Sequence, residues 1–228
     1  MAGILYGIGV GPGEPDLMTI KAAKTIRACD VIAVPGVDFR ESVAYNIALG
    51  AVEELKDKKV VGMPMPMTKD RQVLDENYRQ TACQIEQWLD EGKQVGFLTL
   101  GDVTIYSTYL YVHRMVTEDG YHTEIINGIP SFCAAASRLN TGLVERSEEL
   151  HVIPASYQVE EALKLSGTKI FMKAGRQIAR VKEQLRMARA DVVMVENCGM
   201  DGEKVYRGVE EMNENAGYYS LMIVRSQV

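Results

Sequence analysis

In the run Gly96-Phe97-Leu98-Thr99-Leu100-Gly101-Asp102-Val103-Thr104-Ile105-Tyr106-Ser107-Thr108, an apolar stretch stops at a glycine–aspartate pair and then resumes as a helical pattern. Such a corner collects ligands in a parallel sheet, because the loop leaving the carboxyl end of a strand turns its backbone and side chains toward a crevice. Gly101 lets the chain approach a ligand closely, and Asp102 brings a carboxylate to the same point. The same residues also fit a plain strand-turn-helix in which Asp102 caps the helix.

A second glycine-rich corner, Gly7-Ile8-Gly9-Val10-Gly11-Pro12-Gly13-Glu14-Pro15, follows the first apolar run. It invites a dinucleotide reading, with Asp30 about twenty residues on. The register fails: GxGxxG begun at Gly7 puts Pro12 in the last glycine position, and begun at Gly9 it puts Glu14 there. Pro12 and Pro15 lack the N–H groups that a phosphate needs, and Glu14 and Asp16 repel it. A loop this poor in donors suits an uncharged or cationic ligand group. No P-loop pattern and no G-x-S-x-G elbow occurs, and His113, His122 and His151 have no neighbouring ligand at metal spacing. Cys29, Cys83, Cys133 and Cys198 form no CxxC pair, so no metal site and no disulfide framework is expected.

Other segments carry softer signals. Met63-Pro64-Met65-Pro66-Met67 is extended, because each residue before proline is driven out of the helical region. Met65 and Met67 suit the lining of a large apolar ligand, or a plain edge segment leading to Asp70 as a helix cap. Lys173 and Arg176 follow a strand and suit anionic substituents, or simple surface solvation. Glu196-Asn197-Cys198-Gly199 again places polar residues and a glycine after a strand, while Gly128-Ile129-Pro130-Ser131 leads into the small-residue run Ala134-Ala135-Ala136.

The elements that must position these residues alternate. Strands are expected at 4–10, 30–34, around 60–61 and at 95–100, with helices from about Asp16, over 42–52 and along Leu74-Tyr78-Ala82-Ile85-Leu89. A further helix is read to hold Tyr106, Tyr109 and Met115, and Glu118-Asp119-Gly120 is the expected linker. Strands at 122–126, 150–153, 169–172 and 191–195 follow, and 204–209 with 218–224 read as a closing antiparallel hairpin. The fold class is therefore α/β: an N-terminal domain over 1–118 with a mainly parallel sheet and a C-terminal domain over 119–228 with a mixed one. With 228 residues, 46% apolar and 25% charged, the composition is that of a globular protein. A net charge of −6 without a basic cluster speaks against a nucleic-acid surface. No basic leader and no span-length apolar stretch occurs, so a soluble, unprocessed cytoplasmic chain without membrane partners is expected.

Taken in order, GIGVGPGEPDLMTIKA, LTLGDVTIYST, NGIPSFCAAASRL, FMK and VENCG resemble the tetrapyrrole methylase family over essentially the whole chain. PMTKD, GFLTLGDVTIYSTYLYVHR, NGIPSF and YYSLMIVR are most similar to the branch that methylates C20 of precorrin-2 or cobalt-factor II in corrinoid biosynthesis. The resemblance implies an active site in the cleft between the two domains, a homodimer, and S-adenosylmethionine as methyl donor. It further implies that Pro12 borders the cofactor loop, that Leu100, Gly101, Asp102 and Ile105 hold the cofactor, that Pro130 and Ser131 flank it, and that Met172, Cys198 and Gly199 complete the pocket. Two positions depart from the family pattern, Val103 and Asn127, where proline is the commoner residue in each case. The implied chemistry agrees with the absence of a nucleophile motif, because an activated methyl meeting an electron-rich carbon needs alignment and water exclusion above all. Tyr106 is a candidate for receiving the C20 proton, beside solvent and the substrate itself. Alternative readings are a methylase of this fold acting at another corrin carbon, a nicotinamide-dependent dehydrogenase, and a noncatalytic tetrapyrrole binder.

Overall fold

The computed structural model describes residues 3–155 and 159–225, with the Arg176 side chain outside the described set. The chain divides into two units, Met1–Pro130 and Ser131–Val228. In the first, β1 (Ile4–Gly9), β2 (Val31–Pro35), β3 (Lys59–Met63), β4 (Val95–Thr99) and β5 (His122–Ile126) form a sheet of order β3-β2-β4-β1-β5. Every pairing is parallel, so each strand needs a crossover. These contain α1 (Ile20–Ala28), α2 (Val43–Ala51), α3 (Arg71–Asp90) and α4 (Tyr109–Glu118).

Alternation along the strands divides the apolar side chains into two cores. Leu5, Val31 and Phe97 pack with Ile85 and Leu89 of α3 and Tyr109 and Val112 of α4. Ile8, Ile32 and Leu98 pack with Ile26 of α1 and Ile47 of α2 on the other face. Gly7 makes room for the buried Tyr109 ring, since a Cβ there would lie 2.1 Å from Tyr109 Cε1.

Asp70 caps α3 as the sequence predicts, its carboxylate accepting the Gln72 N–H at 3.0 Å. Asp16 does not cap α1. Pro15 fixes the backbone of a separate 3-10 turn over Pro15–Leu17, and the cap is Thr19, whose hydroxyl accepts the Ala22 N–H at 3.1 Å. The buried face of α1 accordingly carries Ala22 and Ile26, and Ile20 is exposed.

Glu118-Asp119-Gly120 is the C-terminal turn of α4 and not a linker. Gly120, at φ +91°, donates its N–H to Thr117 O, and the Tyr121 N–H donates to Val116 O. β5 follows at once and pairs with β1, so residues 119–130 belong with the first unit and the division falls after Pro130 instead of after Glu118. A helix-terminating glycine beside two acids has the composition of a linker, which hides this from local sequence.

The second unit holds α5 (Ser131–Arg138), β6 (Leu150–Pro154), α6 (Val159–Leu163), β7 (Thr168–Met172), α7 (Ile178–Met187), β8 (Asp191–Glu196), β9 (Lys204–Arg207) and β10 (Ser220–Arg225). Its sheet, ordered β6-β7-β10-β8-β9, is mixed: β6 and β7 are parallel and the other pairs antiparallel. β9 and β10 do not form the expected hairpin. They flank β8 on opposite sides, because the connection over 208–219 is long enough to carry the chain past it. That connection is fastened by Lys182, whose Nζ donates to Met212 O at 2.8 Å. Phe171, Met194 and Met222 pack with Ile178, Val181 and Leu185 of α7.

Candidate functional site

β1 and β4 are neighbours in the first sheet, yet their outgoing connections part. The one after β1 leads to α1 against one core, and the one after β4 leads to α4 against the other. Such a reversal opens a crevice at the carboxyl ends of the two strands, the place where open α/β sheets bind ligands. Both glycine corners lie there. The Gly101 N–H donates to Gly11 O at 2.8 Å and the Gly11 N–H to Gly101 O at 3.2 Å, while the Val10 N–H donates to Thr99 O at 3.0 Å. Gly11 and Gly101, at φ +83° and +73°, hold conformations that a side chain would strain.

Asp102 is buried beside this bridge and its carboxylate is heavily occupied. It accepts the Thr104 N–H at 2.8 Å, the Thr104 hydroxyl, the Gly128 N–H at 2.9 Å and the Asn127 side-chain amide at 3.3 Å. Burial opposes its ionisation, but the bonds from Thr104, Gly128 and Asn127 outweigh it and hold the carboxyl below the usual carboxylate range. Asp102 is thus a fastener between the loop after β4 and the loop after β5, with little lone-pair capacity left for a ligand. The two family departures become intelligible here. Val103 is fully buried in the first core, and Asn127 gives Asp102 a donor that proline cannot provide.

Around the fastener, Pro12 is buried and Leu100 and Ile105 are half-buried. Tyr106 lies outside α4, which begins at Tyr109; it sits in the connecting loop at φ +51° with 40% of its surface exposed. A bulky residue in that region is uncommon and clusters at functional loops. Met63 is core, Met65 is half-buried against it, and Met67 is exposed, so Met65 and Met67 are the two side chains of the segment that the core leaves open to a ligand. Asp30 stands at the amino end of β2, its carboxylate accepting the Gln94 N–H at 2.8 Å, which is the wrong end of the strand for a ribose.

In the second unit, β7 ends at Met172, which is half-buried, and Lys173 follows at φ +57°. The Arg176 side chain lies outside the described residues. β8 ends in a turn where Asn197 is at φ +52° and Gly199 at φ +71°, with Cys198 half-buried between them. The Gly199 N–H donates to Glu203 at 2.8 Å, and Glu203 also pairs with Arg138. Pro130 and Ser131 are half-buried, one ending the first unit and the other opening α5. Two residues that hold these turns are not among the candidates named from the sequence: Glu203, which accepts the Gly199 N–H, and Gly128, which donates to Asp102. A glycine two residues past β5 is the available signal for Gly128, and nothing local points to Glu203.

Among the described residues, no group of three His, Cys, Asp or Glu side chains is placed to hold a metal, and no helix is long and apolar enough to cross a membrane. The family profile Tetrapyrrole (Corrin/Porphyrin) Methylases matches residues 4–212, and the chain belongs to that family. It is 34% identical over 97% of its length to 95% of a protein of Methanocaldococcus jannaschii named probable cobalt-precorrin-2 C(20)-methyltransferase. It is 28% identical, over 100% of its length and 98% of the relative, to the cobalt-precorrin-2 C(20)-methyltransferase of Salmonella typhimurium. Among solved structures, the cobalt precorrin-4 methyltransferase CbiF superposes with a TM-score of 0.77 at 18% identity, covering 97% of this chain and 94% of that one. That likeness establishes the fold.

Proposed function

We propose that this chain is an S-adenosylmethionine-dependent methyltransferase acting at C20 of precorrin-2 or cobalt-factor II in cobalamin biosynthesis. The observation that carries the reading is the 34% identity, along nearly the full length of both chains, to a relative named for that reaction. The donor set supports it: residues 9–13 and 100–105 contain no Lys or Arg, and the buried Asp102 carboxylate lies at this corner. That suits a cationic sulfonium compound without phosphate and disfavours a dinucleotide.

S-adenosylmethionine, when bound, supplies a methyl group activated on sulfur. Pro12, Leu100, Gly101 and Ile105 are proposed to hold it, Asp102 to fix the loop that does so, and Pro130, Ser131, Met172, Cys198 and Gly199 to add further contacts. Met65 and Met67 are proposed for the apolar surface of the tetrapyrrole, and Lys173 and Arg176 for its carboxylates. Catalysis by these residues is alignment and exclusion of water, since the electron-rich C20 needs no protein nucleophile. Tyr106 is proposed to stand near the departing C20 proton. The resemblance further supports a homodimer, and four cysteines not joined in disulfides fit a reducing cytoplasm.

The test incubates the protein with labelled S-adenosylmethionine and either cobalt-free precorrin-2 or its cobalt form, and reads the products by mass spectrometry with the methyl located by NMR. One methyl at C20 is expected. A methyl on another corrin carbon reassigns the chain within its family, and tight NADH binding without methyl transfer replaces the reading altogether.

A further inference from the structure

Thr19 has no place in the scheme above, yet its hydroxyl joins two of the loops that the scheme uses. As the cap of α1 it accepts the Ala22 N–H at 3.1 Å, and the same hydroxyl donates to Asn127 O at 3.2 Å, 108 positions along the chain. A hydroxyl can do both, because it carries one donor and two lone pairs. Asn127 O and the Gly128 N–H belong to one peptide group, and that N–H donates to the Asp102 carboxylate at 2.9 Å. The peptide is therefore gripped from both sides, through its carbonyl by the end of the loop after β1 and through its N–H by the loop after β4.

The loop after β1 also folds back on itself. A Cβ on Gly11 would lie 3.1 Å from Leu17 O and 3.6 Å from Met18 N, so the backbone just before Thr19 touches the backbone just before Pro12. The return is stiffened by a 3-10 turn, in which the Leu17 N–H donates to Glu14 O and the Met18 N–H to Pro15 O, each at 3.0 Å. A displacement at Thr19 thus reaches Gly11 and Pro12 through direct backbone contact, and Gly11 is bridged to Gly101. Capping α1 uses only the acceptor half of the Thr19 hydroxyl, and the bond to Asn127 O is additional to it.

We infer that Thr19 is a positioning residue for the methyl donor: its hydroxyl latches the loop after β1 onto the 127–128 peptide and so keeps Pro12 in register with Gly101. The inference rests on the proposed S-adenosylmethionine site, in which Pro12 and Gly101 hold the cofactor. Thr19 acts through the loop and not by touching the donor. A carbonyl whose own peptide N–H is engaged by a carboxylate is the better acceptor for it, since hydrogen bonds in a chain polarise one another. Without the latch the loop is looser before the donor arrives and must be ordered on binding. The effect falls on donor affinity and leaves the transfer step alone.

The test separates the latch from the cap. Thr19→Asp keeps a helix-capping acceptor but, as a carboxylate, has no hydrogen to give Asn127 O. Thr19→Ser keeps both bonds, and Thr19→Ala removes both. Calorimetric titration with S-adenosylhomocysteine is expected to show wild-type affinity in Thr19→Ser. In Thr19→Asp and Thr19→Ala the dissociation constant is expected to rise about fivefold, the equivalent of roughly 1 kcal/mol for one hydrogen bond. Equal losses in these two variants tie the effect to the missing donor and not to the new charge. Thermal unfolding is expected to set Thr19→Ala alone well below wild type. In kinetics with precorrin-2, the KM for S-adenosylmethionine is expected to rise in Thr19→Asp with kcat unchanged. Wild-type affinity in Thr19→Asp overturns the inference, because Thr19 is then a cap only, and an equal loss of affinity in Thr19→Ser overturns it too. If wild type binds S-adenosylhomocysteine but transfers no methyl to C20, and Thr19→Asp still binds more weakly, the activity reading fails and the latch stands.

Discussion

The Asp102 carboxylate accepts the Gly128 backbone N–H at 2.9 Å, fastening the loop after β4 to the loop after β5 across the end of β1. β1 permits this because it ends in Gly9, where a Cβ would lie 2.6 Å from Gly128 N and 2.7 Å from Gly101 O. Three backbone segments thus close on one another at the mouth of the sheet. The carboxylate that first suggested a ligand contact serves to build the wall that a ligand would meet.

Replacing Asp102 with alanine removes the acceptor for the Thr104 and Gly128 N–H groups. Unfolding free energy is expected to fall by about 1–3 kcal/mol, the usual cost of stranding such donors. Calorimetry is expected to show weaker S-adenosylhomocysteine binding as the loop after β4 loosens. Asp102→Asn keeps one acceptor oxygen and is expected to lose less on both measures. Wild-type stability and affinity in Asp102→Ala would remove the fastener from the argument.

The same carboxyl gives a pH dependence of fixed sign. Its folded pKa lies below the unfolded value, since the bonds from Thr104, Gly128 and Asn127 together outweigh the burial that opposes ionisation. Its stabilising contribution is therefore complete above the unfolded value of about 3.9 and is lost as pH falls through the lower folded one. Denaturant midpoints for wild type and Asp102→Ala are expected to differ most at neutral pH and to converge below about pH 4. A gap that stays constant down to acid unfolding would mean that the carboxylate form is not what stabilises the loops.

Gly128→Ala places a Cβ 2.1 Å from Gly101 O and 2.8 Å from Gly9 C, backbone atoms that cannot swing aside. A loss of about 1–3 kcal/mol is expected, as for other overpacked sites. Gly142→Ala is the control, because its nearest atom would be Val144 O at 3.8 Å. It is expected to stay within about 0.5 kcal/mol of wild type. Equal melting temperatures for the two variants would show that the loops are not closely packed.

Much of this arrangement can be read from the chain itself. Strand-helix alternation and the Gly-Asp corner follow from local spacing, and Asp70 announces α3 because a cap acts within one turn of its helix. What local spacing does not contain is pairing between distant segments. β5 joins the first sheet through residues more than a hundred positions earlier, and β8 comes between β9 and β10, so neither the unit boundary nor the false hairpin could be corrected from neighbouring residues. Tyr106 lies outside the expected helix for a different reason. Its helical spacing with Tyr109 continues the pattern of α4, while its backbone at φ +51° leaves the helix.

Lys173 stands directly after β7 at φ +57°, a conformation that asparagine tolerates better than most residues. Lys173→Asn therefore removes the cation while keeping the backbone turn beside Met172. If Lys173 meets a substrate carboxylate, the tetrapyrrole KM is expected to rise about fivefold at low ionic strength, the equivalent of roughly 1 kcal/mol for a partly exposed ion pair, with kcat unchanged. Added salt is expected to narrow the difference, because screening weakens the wild-type contact and leaves the variant unaffected. A KM identical to wild type at low salt would place Lys173 outside the substrate surface, and a fall in kcat with KM unchanged would tie it to alignment of the methyl transfer instead.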